Sequence, residues 1–496
     1  MSSPDPDPMT SKPVTSSTRI RRWPVLIAAV LVVAGAIAVS QVKPEKSVPF
    51  SSGPISSSAA VIAAPRALST AWYWAEGSSD LKGRASETVI IGNLEKRPVS
   101  ATVSVMTGDK ATDVTRQLKI AAYGQKRIEV SDLVEATNVG VVVEIFDGRA
   151  VVEHEIVSGN DFAVGACATR ADSRWYFADI STDRSAQSWL TLFNPFGDDA
   201  IVDVKFLTES GIDIPDSTQA LSVPRRTQVS IPIHETIRRQ SQVAAVVQAR
   251  TGRVVSEISQ YFDGTDTRSG VALSLGANKT EPRWVFPVGD GQSGSTQSIS
   301  LANFGSARAQ VELKILLGGT SSLSTDRVDV PSKSVIRVDI GGQAPAGLPY
   351  SVEVRSDLKT KIVAEAFATW AAPAPITGVA SVLGSPEAAN KWAFAVGRIS
   401  DANTSNIEVL NVTSRAITVQ LYAYVEGDPD SPRSAPASAL GPNERAVFNL
   451  TELGIGPDQV LVISADGPVV VGRSVSGPGV SIAPGVPFAK SIRRIR

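Results

Sequence analysis

Trp175-Tyr176-Phe177-Ala178 decides how this chain reads, because its pattern of Trp, any residue, an aromatic, then a small residue or proline stands at three other places. Trp72-Tyr73-Trp74-Ala75, Trp284-Val285-Phe286-Pro287 and Trp392-Ala393-Phe394-Ala395 complete a series at intervals of 103, 109 and 108 residues. Self-similarity at so even a period marks one structural unit used four times.

A second landmark keeps the same step. Asn93, Asn194, Asn303 and Asn411 each close an alternating segment, with Val89 and Ile91, Leu190 and Leu192, Ile299 and Leu301, and Ile407 and Val409 four and two residues before. A period of two places each pair on one face of a strand. The short Asn amide then bonds nearby backbone and stabilises a turn. Another alternating run follows (Val103 with Val105, Val202 with Val204, Val311 with Leu313, Val419 with Leu421), so each Asn is expected to sit in a hairpin. Gly148, Gly252 and Gly467 mark a further turn in three copies, again expected as a tight hairpin. The third copy has Ser356 to Thr360 there, without glycine. Few stretches show sustained helical periodicity; the best is around Ile233 to Gln242, enough for one or two turns.

A repeat of about 100 residues with some seven short strands reads as a two-sheet sandwich. The fold expected is all-β: four tandem immunoglobulin-like antiparallel β-sandwich repeats after one N-terminal transmembrane helix. The boundaries are a disordered cytoplasmic tail at 1–22, the helix at 23–42 and a flexible spacer at 43–66. Repeats follow at 67–168, 169–278, 279–387 and 388–489, then a basic tail at 490–496. Repeat length leaves little chain for linkers, which predicts an elongated or gently curved array.

Arg19, Arg21 and Arg22 precede an uncharged, mostly apolar run from Trp23 to Val42. About 20 residues at 1.5 Å rise just cross a hydrocarbon core of about 30 Å, and the basic flank stays inside. The competing reading is a signal peptide, because Ala36 and Ala38 give an A-x-A cleavage pattern. Both export the rest of the chain. The partner expected first is therefore the membrane, through residues 23–42. The 48 basic and 49 acidic residues create no field that attracts nucleic acid.

Little chemistry is visible. Cys167 is the single cysteine, and His154 and His234 are the only histidines, so no multi-cysteine metal site exists. Gly291-Gln292-Ser293-Gly294 lacks the order of a nucleophile elbow, and the Ser79–Lys82 and Ser356–Lys359 strings lack the companion motifs of a serine–lysine enzyme. Glu426 to Asp430 has clustered oxygens without an EF-hand register. No catalytic residue, cofactor or metal is expected. The residues best suited to a ligand are Trp72, Trp175, Trp284 and Trp392, since an exposed indole stacks on a sugar ring, although recurrence in every copy favours packing.

The Trp pattern, the strand ending in Asn and the apolar N-terminal run together resemble an uncharacterised family of membrane-anchored or secreted β-repeat proteins of high-GC Gram-positive bacteria. The resemblance covers most of residues 67–489 and implies a link to cell-envelope polysaccharide, with no catalytic residues to carry over. The function expected is a non-enzymatic extracytoplasmic scaffold or interaction protein of the cell envelope. A carbohydrate-binding array and an unrecognised hydrolase are the alternatives, with an envelope protein or polysaccharide as partner.

Overall fold

Alternate burial explains why these sequences form sheets. In Val99–Met106, for example, Val99, Ala101, Val103 and Val105 are buried while the residues between them reach the surface. In the computed structural model the described residues are 57–64, 69–77, 83–109, 112–319, 321–324, 327–357, 360–398 and 402–495, all within the second of the chain's two units, Ser56–Arg496. The tail 1–22, the apolar run 23–42 and most of the spacer lie outside them. Among the described residues no helix is long and apolar enough to cross a membrane. The fold is all-β and antiparallel.

Each motif opens a sheet that pairs with a second one. In the first copy Ser69–Trp74, Gly140–Phe146, Val99–Met106 and Val114–Ile120 form a motif sheet, in that order. Gln125–Glu129, Ser86–Asn93, Ala150–Ser158 and Asp161–Ala166 form the other. The second and third copies repeat this order. In the fourth, Val460–Ser476 runs through both sheets and joins them.

Both kinds of expected hairpin, the one at each Asn and the one at the glycine turn of three copies, are corrected here. Ser86–Asn93 and Val99–Met106 lie in different sheets, as do Gly140–Phe146 and Ala150–Ser158. Alternation identifies strands but does not say which pair. The Asn is instead a corner post where the chain crosses between sheets. Asn303 is wholly buried; its Nδ2 donates to the carbonyls of Ala307, Val330 and Pro331, and its Oδ1 accepts the Gly305 N–H at 3.0 Å. Asn93, Asn194 and Asn411 do the same at their corners. Of the helical stretch, one turn forms at Ile233–Thr236.

The last strands of the four copies meet around a common axis. Asp161–Ala166 packs on Ser269–Leu275, that on Gly378–Leu383, that on Val480–Pro484, and the last returns to the first. Ser56–Arg496 is therefore a closed ring, which corrects the elongated array: short linkers bring neighbours into contact, and four equal steps close. Two further expectations change. Residues 57–62, read as spacer, pack down, with Ile62 fully buried and bridged in parallel to Phe488. Within the basic tail, Ile492–Arg494 pairs with Glu387–Ala389.

Candidate functional site

The motif tryptophans are core residues. Trp72, Trp175, Trp284 and Trp392 are between 0% and 2% exposed. Trp175 Nε1 donates to Val254 O, Trp284 Nε1 to Ile362 O and Trp392 Nε1 to Val469 O. These three indoles thus reach from the motif sheet to the facing sheet, whereas Trp72 Nε1 makes no such bond. None presents a ring to the surface, so stacking on an external sugar is closed to them; Trp284 and Trp392 border the axial cavity described below.

The small residue ending each motif has its reason at the neighbouring copy. Glu257 of the second copy accepts the N–H groups of Ala75 and Glu76 on one carboxylate oxygen, at 2.9 and 2.8 Å. Glu365 of the third does the same to Ala178 and Asp179, at 3.0 and 3.2 Å, and takes the Ser381 hydroxyl on its other oxygen. A larger side chain at Ala75 or Ala178 would crowd these carboxylates. Pro287 has no N–H to offer the fourth copy. Gly472 faces it there, and a Cβ on Gly472 would lie 2.8 Å from Val288 and 3.0 Å from Pro287. At that joint Arg445 instead donates to the Tyr350 carbonyl at 2.7 Å and pairs with Glu408. At the joint that closes the ring, Glu153 is buried against Ala395 with Arg473 3.4 Å away. Burial pushes Glu257 up to about 8, and Glu153, Glu365 and Glu408 to about 7, against the pull of these amides and arginines.

Replacing Glu365 with leucine leaves two amides and a hydroxyl buried without an acceptor. At about 1–3 kcal/mol for each such group, a loss of about 3 kcal/mol or more is expected in urea unfolding. Glu365→Gln keeps an acceptor and should cost under about 1 kcal/mol. Equal stability of the leucine variant and the parent would refute this role.

Along the axis the side chains shrink so that four strands can meet. Ala163, Ala272, Ala380 and Ser481 share one level and are all buried. At the level before them Asp161 faces Gly270 and Gly479, while Gly378 packs on Val480. The Asp161 carboxylate accepts the N–H of Phe162 at 2.8 Å and of Val271 at 2.9 Å, and a Cβ on Gly270 or Gly479 would fall inside it. One carboxylate is thus the pin of the ring. Burial raises it to about 6, opposed by the amides of Phe162, Val271 and Val480 and by Arg398.

Towards the other ends of the axial strands lies a cavity of about 80 Å³, lined mainly by apolar groups including Leu273, Leu275, Leu383 and Ile482. Residues 57–60 close it. Ser57 N–H donates to Glu387 and its hydroxyl to Glu281, both at 2.7 Å, while Ala59 O accepts the Thr169 N–H at 2.8 Å.

Two other groupings have the look of chemistry. Cys167 Sγ lies 3.6 Å from His154 Nδ1, and His154 Nε2 lies 3.8 Å from Glu257 Oε1. Burial pushes the thiol well up and brings the imidazole down to about 3. Neither thiolate nor imidazolium forms at neutral pH, and His154 stacks on Trp74 at 5.8 Å as a core ring. Among the described residues no three His, Cys, Asp or Glu side chains are placed to hold a metal ion. In the Glu426 to Asp430 stretch, Asp430 pairs with Lys96 at 2.7 Å.

The joint glutamates and the axial triplets escaped the sequence reading, although both leave a trace. Glu365 interrupts a largely apolar strand, and Gly270-Val271-Ala272, Gly378-Val379-Ala380 and Gly479-Val480-Ser481 recur at the repeat spacing.

A family profile described as a family of unknown function, DUF5719, matches residues 149–438, more than half of the chain. The chain belongs to this family. The DUF5719 match begins in the turn at the end of the first motif sheet and runs into the fourth copy, so it takes in both sides of the joint made by Glu365 and, of the joint with Ala75 and Glu76, only Glu257. No curated protein matches the chain. Among solved structures, the chain is similar to Thermotoga maritima 1070, at 18% identity over 21% of this chain and 94% of that one, with a TM-score of 0.19. It is similar to the Anabaena sensory rhodopsin transducer at 19% identity over 17% and 94%, TM-score 0.15. A tetra-tandem repeat in the extending region of a large adhesion protein aligns over 86% and 99% at 11% identity, TM-score 0.10. Overlaps this slight carry neither fold nor function across.

Proposed function

We propose that this DUF5719 protein is a non-enzymatic scaffold or interaction protein of the bacterial cell envelope. Residues 23–42 hold it in the membrane with the N-terminus inside, and four immunoglobulin-like repeats form a rigid outer platform. One observation supports this above others: the reactive side chains are spent on assembly. Glu257 and Glu365 bond backbone amides of the preceding copy, Asp161 pins the axis, and Cys167 and His154 are sealed in the core. A buried carboxylate that holds a joint is unavailable to a substrate. The motif tryptophans, buried in the same way, give no support to a sugar-stacking array.

Protease added to intact cells of the native host tests the reading. An epitope at Arg496 should be lost while one at Met1 survives until the membrane is opened. Protection of both epitopes in intact cells would overturn the placement, and turnover of an envelope polymer by the purified chain would overturn the non-enzymatic role.

A further inference from the structure

The joint between the third and fourth copies breaks the pattern of the others. The residue paired with the second motif position is Val142 in the first copy, Val246 in the second and Val462 in the fourth, and each packs towards the next copy. In the third copy it is Glu353, paired with Val285. A valine there would continue a dry interface. The carboxylate brings cations with it: Arg283 and Arg355 converge on Glu353 Oε1 at 2.8 and 2.9 Å, and Lys314 sits on the adjacent strand in register with Glu353. Beside Val285 the apolar contact between these copies is a small cluster around Leu316, Leu410 and Val470. Beside it opens a groove of about 630 Å³.

Three cations and one carboxylate line this groove, and Glu312 stands 3.9 Å from Lys314 beside it, so three positive charges face two negative ones. Arg283 is 11% exposed and is held in place by Glu353; Arg355 is 48% exposed and reaches solvent. Across from them the fourth copy supplies Thr413, Ser414 and Asn443. Guanidinium groups suit the flat, forked geometry of carboxylate and phosphate oxygens. Hydroxyl and amide groups opposite them suit sugar hydroxyls.

We infer that this groove binds an anionic glycan, through a carboxylate or phosphate group held by Arg355, Lys314 and Arg283, with the sugar against Thr413 and Asn443. The inference stands apart from where the chain resides, since it concerns binding in solution.

Titration calorimetry of the full chain with a galacturonic acid oligomer and with a phosphorylated mannose oligomer separates the two anion sources. A neutral malto-oligosaccharide and a single-stranded oligonucleotide serve as controls. Binding of at least one anionic oligomer is expected, weakening as salt is raised. Arg355→Ala should weaken it about tenfold, and Lys314→Glu with Arg355→Glu should abolish it. Lys205→Glu, at the matching place in the second copy, should change nothing. Melting temperatures of the variants separate lost binding from lost folding. No binding of either anionic oligomer, undiminished binding by the doubly reversed variant, or oligonucleotide binding as tight as glycan binding would overturn the inference. Should Lys314→Glu with Arg355→Glu fail to fold, Arg355→Ala and Arg355→Lys decide alone: unchanged affinity in both overturns it.

Discussion

Trp284→Ala is expected to cost about 3–5 kcal/mol, the range for truncating a buried aromatic. The side chain is 1% exposed, and its Nε1 donates to both Ile362 O and Glu281 O. Truncation empties the centre of the third sheet pair, leaves two carbonyls without that donor, and widens the axial cavity that Trp284 borders. Trp175→Ala should be as costly, since that ring is wholly buried and donates to Val254 O at 2.7 Å. The loss should not stay within one copy. Because every copy touches two others and the axis, calorimetry should show one transition moving down as a whole. An unchanged melting temperature would refute the packing role of the indole, and four separable transitions would refute the closed ring.

The second large effect is a fall in stability as pH rises from about 5 to about 8. Glu153, Glu365 and Glu408 are raised by burial to about 7 and Glu257 to about 8. Above the ordinary glutamate range the unfolded chain has released these protons while the folded one still holds them. Stability therefore declines through this window, and the contribution is complete only below it. Asp161, raised to about 6, acts in the same direction at the lower end. His154 opposes: lowered to about 3, it stays neutral in the fold while the unfolded chain takes up a proton below about 6.5. One pKa unit is worth about 1.4 kcal/mol, so these glutamates, joined by Glu87, which burial also raises well above the ordinary range, outweigh one histidine, and above about 6.5 His154 no longer opposes them. Melting at pH 5.5 and pH 8 checks this. A higher melting temperature at pH 8 would contradict it, and Glu365→Gln should flatten the slope.

Local features of the fold were legible in the sequence. The alternation before Asn93, Asn194, Asn303 and Asn411 gave strands where strands exist, and the Asn amide does stabilise a turn. Pairing was not legible, because the period of a strand fixes its faces and not its neighbours. The corner asparagines show the difference: the bond from Asn303 Nδ2 to Ala307 O is local, whereas that to Val330 O joins residues 27 apart. Ring closure was further out of reach, since Glu257 meets Ala75 across 182 residues. Glu365 lies in a strand whose other residues are mainly Val, Ala and Phe, which marks it as buried, whereas Glu153 and Glu257 stand among His154, Glu155, Ser256 and Ser259 and carry no such sign.

The bridge between Ile62 and Phe488 sets an order on the making of this molecule. The first described segment cannot dock until the final strands have been synthesised, so the ring closes last, whichever copy folds first. Until then the face of the first copy that receives the fourth, around Ile90 and Val151, is open and apolar. A chain whose decisive contacts join its two ends folds slowly, and one that meanwhile exposes apolar faces is prone to associate with its own kind. The interval between the arrival of the first copy and the last is therefore when this protein most needs a chaperone, and variants that weaken the final joint, such as Arg473→Ala beside Glu153, should lower the yield of closed rings more than they shift the melting of those that form.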